Sequence, residues 1–342
     1  MSNKIKISIN GFGRIGRSIM RAYFKYPERY QDKMEIVAIN DIADLKTLAH
    51  LFQYDSVMRK FEGEVKLEED GIRINGQKIK VFKNNLGDIP WGTVGTDIVV
   101  ESTGLFLSRA DGEKHLAGGA RKVIFSAPAS KDVDATIVVG VNHKELKDTD
   151  KFVSNASCTT NCLSPMVKVL EENFGIESAM MLTVHSYTGD QRILDAPHKD
   201  LRRARAGAVS MIPTTTGATK AVEEVIPSLK GKLAGYAVRV PTPNGSMTDF
   251  TATLKKAVNV AQINAAFKKA AEGELSGILE YTEDPIVSSD IVGNPHSSIF
   301  DSQLTQVVGE KGTNVRVVNW YDNEWGYSNR ILDLALLMGA KR

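Results

Sequence analysis

Both cysteines of the chain, Cys158 and Cys162, lie four positions apart in the segment NASCTTNC, among small hydroxyl and amide side chains. A zinc site needs two further ligands close by, and the sequence has no second cysteine pair and no His-x-His cluster, so no metal is expected. A disulfide is not expected either, because a reducing compartment leaves such thiols free. Apolar residues follow Cys162, which we interpret as an inert core thiol. Cys158 is the candidate nucleophile.

Cys158 stands at the junction between a predicted strand and a predicted helix. The positive end of a helix favours a thiolate, so we expect this position to lower the thiol pKa. Ser157, Thr159 and Thr160 add donors for an anion at the same place. Two starts of the helix are considered. A helix that begins at Cys158 contains Pro165, which removes a backbone hydrogen bond, and the alternative is a helix that begins near Pro165.

A reactive cysteine needs a base, and His185 is the best placed of the histidines. It ends the predicted strand AMMLTVHSYTGD and points from a sheet edge into a loop. His198 and His50 are the competitors, and a surface histidine without a catalytic role is the other interpretation.

Gly11, Gly13 and Gly16 form a G-x-G-x-x-G pattern between an apolar strand and a helix. Glycine permits the tight turn and the close approach of the backbone to a pyrophosphate, and the helix N-terminus supplies N–H donors. The motif predicts a dinucleotide site, and the alternative is a glycine-rich turn that binds nothing.

Asp41 ends the next predicted strand, in the segment VAINDIAD. An acid at this point binds the adenosine ribose hydroxyls and repels a 2′-phosphate, which favours NAD over NADP. The alternative role for Asp41 is a helix cap.

The elements around these residues predict two domains. Up to about residue 157, apolar strands alternate with helical segments, which is typical of a doubly wound parallel sheet. These predicted strands are Lys4–Ile9, Glu35–Asn40, Asp97–Glu101, Lys122–Phe125, Thr136–Val139 and Phe152–Ser154. Residues 61–82 alternate around Asn75-Gly76 and predict an antiparallel excursion.

After Cys158 the pattern changes to an α+β type with longer strands. The predicted elements are strands Ala179–His185, Tyr236–Val240 and Thr248–Leu254, helix Val260–Glu272, and a C-terminal helix whose apolar face includes Ile331, Leu334, Ala335 and Met338.

Composition narrows the function class. A chain of 342 residues suggests roughly two domains, and its 42% hydrophobic and 25% charged residues are ordinary for a globular protein. The net charge of +2 points to neither nucleic acid nor a membrane as the main partner. We expect a cytoplasmic protein, since no signal peptide or apolar span is recognised.

The chain resembles phosphorylating glyceraldehyde-3-phosphate dehydrogenase in eight segments that occur in the family's order. They are INGFGRIGR, ESTGLF, SNASCTTNCL, HSYTGDQRILD, DLRRARAGA, PTTTGATKAV, VPTPNGS and NWYDNEWGYSNR. The resemblance implies an α/β protein: a Rossmann NAD-binding domain over 1–157, rejoined by a C-terminal helix over 322–342, and an α+β catalytic domain over 158–321 with a mostly antiparallel sheet. It also implies a homotetramer.

The resemblance makes Cys158 the nucleophile and His185 its general base, and it starts the helix at Cys158. It implies that glyceraldehyde 3-phosphate forms a thiohemiacetal and then a thioester, which inorganic phosphate cleaves, within glycolysis or gluconeogenesis. Erythrose-4-phosphate dehydrogenase, which uses the same pair, is the alternative. A non-catalytic role, as an adhesin or an RNA-associated protein, is a different class that the intact Cys158 and His185 disfavour.

The resemblance also implies two sets of binding residues. Phosphate-binding residues are Ser157, Thr159, Thr188, Arg203, Thr216, Gly217 and Arg239. Cofactor-binding residues are Gly11, Gly13, Arg14, Ile15, Gly16, Asp41, Thr103, Ser126, Asn323 and Tyr327. Without the resemblance, the basic run HKDLRRARAG would be read as a solvated face or a nucleic-acid patch.

The chain departs from the family pattern at two places. The segment FKNNLGDIPW is one residue shorter than in relatives, and no arginine there matches the one over the adenine. Ala196 replaces a leucine of many NAD-specific members, while Pro197 is kept. Ala196 leaves weak use of NADP open, whereas Asp41 still favours NAD, which we expect as the cofactor.

Overall fold

The chain folds into two compact units, which a computed structural model describes over residues 4–340. The first unit comprises the residues up to Ile137, His143–Ala156 and the residues from Ser328 onward. The second comprises Val138–Asn142 and Ser157–Tyr327. None of the helices within residues 4–340 combines the length and apolar character that a membrane span requires.

The first unit contains a nine-stranded sheet within the described residues. Its strands are β1 (Ile5–Asn10), β2 (Met34–Asn40), β3 (Val65–Glu68), β4 (Gly71–Ile74), β5 (Gln77–Phe82), β6 (Ile98–Glu101), β7 (Lys122–Phe125), β8 (Ala135–Thr136) and β9 (Phe152–Ser154). The order is β3-β4-β5-β2-β1-β6-β7-β9-β8, and the pairs from β5 to β8 are parallel. The predicted Rossmann sheet is confirmed.

The helices of this unit lie between the strands along the chain, as the alternating pattern predicts. They are α1 (Arg14–Lys25), α2 (Pro27–Tyr30), α3 (Leu45–Gln53) and α4 (Arg109–Ala117), with 3-10 turns at Trp91–Val94 and His143–Glu145. Most side chains of the central strands are buried, including Ile7, Ile36 and Val123. Burial of these side chains on both faces of the sheet explains why the strands read as continuous apolar runs.

The predicted antiparallel excursion is present as β3, β4 and β5. Asn75 and Gly76 connect β4 to β5 with φ of 47° and 83°, the left-handed pair that a tight hairpin requires. The hairpin also continues the main sheet, because β5 pairs in parallel with β2.

The prediction of a strand over Thr136–Val139 is wrong after its first residue, because β8 ends at Thr136. Beyond it the chain turns: Asn142 Oδ1 accepts a hydrogen bond from Val138 N at 2.8 Å, and Val141 N donates to Val138 O at 3.0 Å. The apolar residues here are buried without forming a ladder.

The second unit contains a mixed sheet in which most neighbouring pairs are antiparallel. Its elements are α5 (Cys158–Phe174), β10 (Ile176–Ser186), β11 (Ile212–Thr214), α6 (Ala218–Val225), β12 (Leu233–Val240), β13 (Ser246–Val258), α7 (Val260–Glu272), β14 (Leu279–Thr282), β15 (Ser298–Asp301), β16 (Gln306–Val307) and β17 (Gly312–Tyr321), with 3-10 turns at Pro227–Leu229 and Ser302–Leu304. The order is β11-β12-β10-β13-β17-β15-β14, with β16 on β17. Helix α5 packs on β13, β15 and β17, and its side chains are largely buried.

The last helix, α8, covers Trp325–Ala340. Asp322 Oδ1 accepts hydrogen bonds from Glu324 N at 2.9 Å and Trp325 N at 2.7 Å. This capping explains why the helix begins at Trp325, and a helix over all of 322–342 is wrong at its start. The predicted domains, 1–157 with 322–342 and 158–321, stay a prediction; their residues 1–3 and 341–342 lie outside the described part of the chain.

Candidate active site

Cys158 is the first residue of α5, so the alternative start near Pro165 is wrong. Ser157 caps the helix, because its Oγ accepts a hydrogen bond from Thr160 N at 3.0 Å. Pro165 lies inside the helix without ending it. The helix therefore presents a half-buried Cys158 at its N-terminal end, where the helix dipole favours negative charge.

The sulfur of Cys158 lies 3.5 Å from Nε2 of His185. His185 is near the end of β10 and is 3% exposed. His198 instead contacts Asp190 at 3.3 Å, and His50 packs beside the ring of Tyr54. The structure thus brings His185, and neither competitor, to Cys158.

Arg239 faces the other side of the imidazole. His185 on β10 pairs in register with Arg239 on the parallel strand β12. Arg239 Nη1 lies 2.8 Å from His185 Nδ1 and 3.1 Å from Ser186 O, and Nδ1 also lies 2.6 Å from Ser186 O. If Nδ1 carries the proton it donates to Ser186 O, and Nε2 is bare and accepts from the thiol. If Nδ1 accepts from Arg239, Nε2 carries the proton and donates to the sulfur.

Burial, together with the positive charges of Arg239 and Arg203, lowers the pKa of His185 from its ordinary 6.5 to about 3. The imidazole is therefore neutral at pH 7, and it holds a single proton on either Nδ1 or Nε2. A neutral imidazole is the form that serves as a base.

The expectation of a lowered Cys158 pKa is wrong for the protein alone. Burial raises the pKa of the Cys158 thiol above its ordinary value, and the charge of Arg239 and the hydrogen bonds of Thr159 offset only part of this. The desolvation of the thiolate outweighs these favourable interactions. Burial also raises the pKa of Cys162 to about 12, and its sulfur lies 3.6 Å from Ser298 Oγ.

Tyr321 also belongs to this cluster, although the sequence pattern did not single it out. Its Oη lies 3.0 Å from Thr159 Oγ1 and 2.9 Å from Thr183 Oγ1, and its ring packs edge-on against the imidazole of His185. The hydroxyl of Thr159 is therefore engaged in a buried hydrogen-bond chain. The only signal in the sequence was an aromatic residue at the end of a strand.

Arg203 lies close enough for its charge to lower the His185 pKa, and its own guanidinium is already engaged. It donates to Asp190 Oδ2, to Thr214 Oγ1 at 2.8 Å and to Thr215 O at 3.2 Å. Sequence reasoning missed Asp190, which follows the strand that carries His185.

The remaining predicted phosphate-binding residues lie in loops and at a helix start of the same unit. Thr188 N donates to Gln191 Oε1 at 2.9 Å, and Thr216 Oγ1 accepts from Ala218 N at 3.2 Å. Gly217 precedes α6 as its N-cap. The assignment of these three residues to the site rests on the resemblance.

The glycine turn of the first unit fits a dinucleotide. Gly11 has φ of 88°, and a Cβ there would lie 2.7 Å from Thr103 N, so a side chain is excluded. A Cβ at Gly16 would lie 2.3 Å from Gly11 O, whereas Gly13 faces open space. Gly13 is the N-cap of α1, so the turn ends at a helix N-terminus, whose backbone N–H groups can bind a pyrophosphate.

Other predicted cofactor residues lie in the same unit. Asp41 Oδ2 accepts from Phe12 N at 2.8 Å and Oδ1 accepts from Ala43 N at 3.0 Å. Asp41 therefore holds the glycine turn as well as presenting its charge.

The other residues of this set also have partners or a place in the fold. Arg14 forms an ion pair with Asp55 at 2.5 Å, and Ile15 is half-buried on α1. Ser126 follows β7, and its backbone N–H donates to Glu101 O at 2.9 Å.

Asn323 and Tyr327 belong to the second unit. Asn323 Oδ1 accepts from Ser246 Oγ at 2.8 Å and from Gly245 N at 3.2 Å, which fixes the orientation of its amide. Tyr327 is buried in α8. No cluster of His, Cys, Asp and Glu suited to a metal ion occurs within residues 4–340.

Comparison with known proteins places these features in a family. The model of the glyceraldehyde 3-phosphate dehydrogenase NAD binding domain matches residues 5–109, and that of the C-terminal domain matches residues 157–323. The chain belongs to the glyceraldehyde-3-phosphate dehydrogenase family.

Named glyceraldehyde-3-phosphate dehydrogenases share most of this length. Glyceraldehyde-3-phosphate dehydrogenase 2 of Streptomyces avermitilis is 57% identical over 337 residues, which is 98% of each chain. The enzyme of Mycobacterium avium is 55% identical over 338 residues, also 98% of each chain. The plasmid-encoded enzyme of Cupriavidus necator is 53% identical over 339 residues, 99% of each chain.

Proposed function

We propose that this protein catalyses the NAD-dependent, phosphorylating oxidation of D-glyceraldehyde 3-phosphate to 1,3-bisphosphoglycerate, as a step of glycolysis or gluconeogenesis. The observation that carries the proposal is the 3.5 Å contact between Cys158 Sγ and His185 Nε2 at the start of a helix, in a chain of this family. A thiol beside a neutral imidazole is an arrangement suited to covalent attack on a carbonyl carbon.

The reaction begins with removal of the thiol proton. His185 holds Nε2 bare when Nδ1 donates to Ser186 O, and Nε2 then accepts the proton of Cys158 as the sulfur attacks the aldehyde carbon. The proton passes to the former carbonyl oxygen, which gives a thiohemiacetal on Cys158. This route does not require a thiolate to persist in the resting protein, which agrees with the raised pKa of Cys158.

Oxidation then removes a proton and a hydride from the thiohemiacetal. His185 Nε2 takes the hydroxyl proton, because the imidazole has returned to its neutral form. Bound NAD supplies the acceptor for the hydride. The product on Cys158 is a thioester, whose carbonyl carbon is attacked by an oxygen of inorganic phosphate. The carbon–sulfur bond breaks, and the sulfur leaves as a thiolate that recovers a proton.

The two arginines suit the anionic substrates. Arg239 is largely buried and carries a permanent positive charge next to the reacting sulfur. Arg203 lies close enough to Arg239 for the two charges to interact. An arginine fork binds phosphate oxygens in a planar, bidentate manner. Asp190 accepts a hydrogen bond from the guanidinium of Arg203. We infer that an incoming phosphate either shares this guanidinium with the Asp190 carboxylate or displaces the carboxylate from it.

We further propose a homotetramer in the cytoplasm. Large apolar side chains in the second unit are strongly exposed on the single chain, including Ile193, Leu201, Val209 and Met211 at 75–89% exposure. Several large, exposed apolar side chains in one unit support association between copies of the chain. The cytoplasmic location is supported by two free thiols, Cys158 and Cys162, in one helix.

The test is reduction of NAD by the purified chain with glyceraldehyde 3-phosphate, with and without inorganic phosphate. We expect steady turnover only when phosphate is present. The same assay with erythrose 4-phosphate tests the alternative, and a higher kcat/KM for the four-carbon sugar, or steady turnover without phosphate, contradicts the proposal. Replacing NAD with NADP measures the expected preference for NAD.

A further inference from the structure

A buried carboxylate that the proposed chemistry does not use lies at the end of β6. Glu101 is 1% exposed, and a carboxylate in such a place is stable only when donors surround it. Its Oε1 accepts from Thr103 N at 2.8 Å and from Thr103 Oγ1. Its Oε2 accepts from Asn10 Nδ2 at 2.5 Å and lies 3.0 Å from His115 Nε2. We call Glu101, Asn10, Thr103, His115 and Trp91 the Glu101 network.

The protonation of His115 is fixed by Trp91. The indole N–H can only donate, and Trp91 Nε1 lies 3.0 Å from His115 Nδ1. Nδ1 is therefore an acceptor without a proton, and Nε2 carries the proton and donates it to Glu101. The contact with Glu101 is therefore a hydrogen bond from His115 Nε2 that orients the carboxylate.

The Glu101 network joins two loops at the carboxyl edge of the parallel sheet. Asn10 directly precedes the glycine turn, and Thr103 lies in the loop after β6. The loops touch, since a Cβ on Gly11 would lie 2.7 Å from Thr103 N, and Ser102 Oγ donates to Gly11 O at 2.6 Å. Each oxygen of Glu101 holds one of these loops: Oε1 holds Thr103 and Oε2 holds Asn10.

We propose that Glu101 is a positioning residue for the cofactor: oriented by His115 and Trp91, its carboxylate holds the loop after β6 against the glycine turn, so that the surface for the dinucleotide is formed before binding. A preformed surface binds more tightly because less order has to be created on binding. The inference rests on the proposed NAD-dependent function, since NAD is the ligand that these two loops serve.

The first test is Glu101→Gln in the full chain, with the Kd for NAD measured by isothermal titration calorimetry. The glutamine amide places an N–H₂ donor where the carboxylate accepts hydrogen bonds from Asn10, Thr103 and His115. His115 cannot switch to an acceptor at Nε2, because the Trp91 contact fixes its tautomer. We expect the Kd to rise at least tenfold and KM for NAD to rise with it, while kcat changes less than threefold.

Two controls accompany this test. The rate of Cys158 alkylation without NAD should stay within twofold of the parent, because the catalytic pair lies in the other unit. Glu113→Gln, an exposed change on the same helix as His115, is the control and should leave the Kd within twofold.

A matched pair at His115 separates positioning from general destabilisation. The His115→Gln side chain reaches Glu101 with a donor at the place of Nε2, whereas His115→Asn is too short to do so. We expect His115→Gln to bind NAD within threefold of the parent and His115→Asn to bind at least fivefold more weakly, at similar melting temperatures. Equal NAD affinity in the two His115 variants overturns the proposal. A folded Glu101→Gln chain whose Kd stays within twofold of the parent also overturns it. Where Glu101→Gln does not fold, the two His115 variants decide.

The outcome is separable from that of the proposed function. Binding of NAD is measured without aldehyde, so a parent chain that binds NAD but does not oxidise glyceraldehyde 3-phosphate contradicts the function and leaves the role of Glu101 standing.

Discussion

Arg239 Nη1 lies 2.8 Å from His185 Nδ1, the imidazole nitrogen that faces away from the sulfur of Cys158. A fixed positive charge at this distance opposes a second proton on the ring. It also attracts the thiolate, so one guanidinium keeps the base neutral and eases ionisation of the nucleophile.

Arg239→Met should therefore raise two pKa values. That of His185 should rise from about 3 and stay below the ordinary 6.5, because the burial remains. That of Cys158 should rise further, since a charge that lowers it is lost. NMR titration of the imidazole measures the first, and the midpoint of iodoacetamide alkylation against pH measures the second and should move to higher pH. A His185 pKa that stays fixed or falls contradicts this account of Arg239.

The two cysteines should respond differently to the same change. Cys158→Ser should lower kcat by at least about a thousandfold, because an alcohol beside a neutral imidazole is a far weaker nucleophile than a thiol. Cys162→Ser should keep most of the activity, since its sulfur contacts Ser298 Oγ, with which a hydroxyl can form a hydrogen bond. Steady-state turnover with NAD measures both, and equal losses would show that the wrong thiol has been assigned.

Asp41→Asn should relax the preference for NAD. The amide oxygen can replace one of the acceptors for Phe12 N and Ala43 N, so the glycine turn is partly kept while the negative charge is removed. Without that charge a 2′-phosphate is no longer repelled, and the ratio of kcat/KM for NADP to that for NAD should rise about tenfold or more, which corresponds to at least about 1.4 kcal/mol. An unchanged ratio speaks against the ribose assignment.

Ala156 has a φ of 54° two residues before Cys158, a left-handed conformation that side chains disfavour. A β-branched side chain is strained there, so Ala156→Val should lower the free energy of unfolding by about 1–3 kcal/mol and slow Cys158 alkylation by shifting the start of α5. Ala156→Gly is the matched control and should alter stability by less than about 1 kcal/mol, because glycine accepts this φ but orders at a greater entropic cost. Chemical unfolding and alkylation rates check both, and a neutral Ala156→Val contradicts the strain.

Much of the fold was readable from local pattern. The helix Val260–Glu272 and the strand Lys122–Phe125 have the bounds that the sequence pattern predicts. Thr136–Val139 shows the limit of this reasoning: its apolar run also predicts a strand, but a bond from the Asn142 side chain turns the backbone. An apolar run indicates burial, and it does not say whether a neighbouring strand is available.

The site was predictable in its parts and not in its electrostatics. The residue types and positions of Cys158 and His185 suggested a pair, whereas the Arg239 contact depends on the register between β10 and β12, strands far apart in the chain. The pKa directions depend on burial, which is a tertiary property. The hydrogen-bond network of Glu101 was likewise not predictable from sequence, because Asn10, His115 and Trp91 come from separate segments of the chain.

The central claim is that the sulfur of Cys158 carries the acyl group. The most direct measurement mixes the chain with NAD and glyceraldehyde 3-phosphate in the absence of phosphate, quenches it in acid, and locates the adduct by peptide mass spectrometry. The account predicts a 3-phosphoglyceryl thioester on Cys158, none on Cys162, and its release as 1,3-bisphosphoglycerate when phosphate is added. NADH formed without any adduct on Cys158, or an adduct on Cys162, contradicts it.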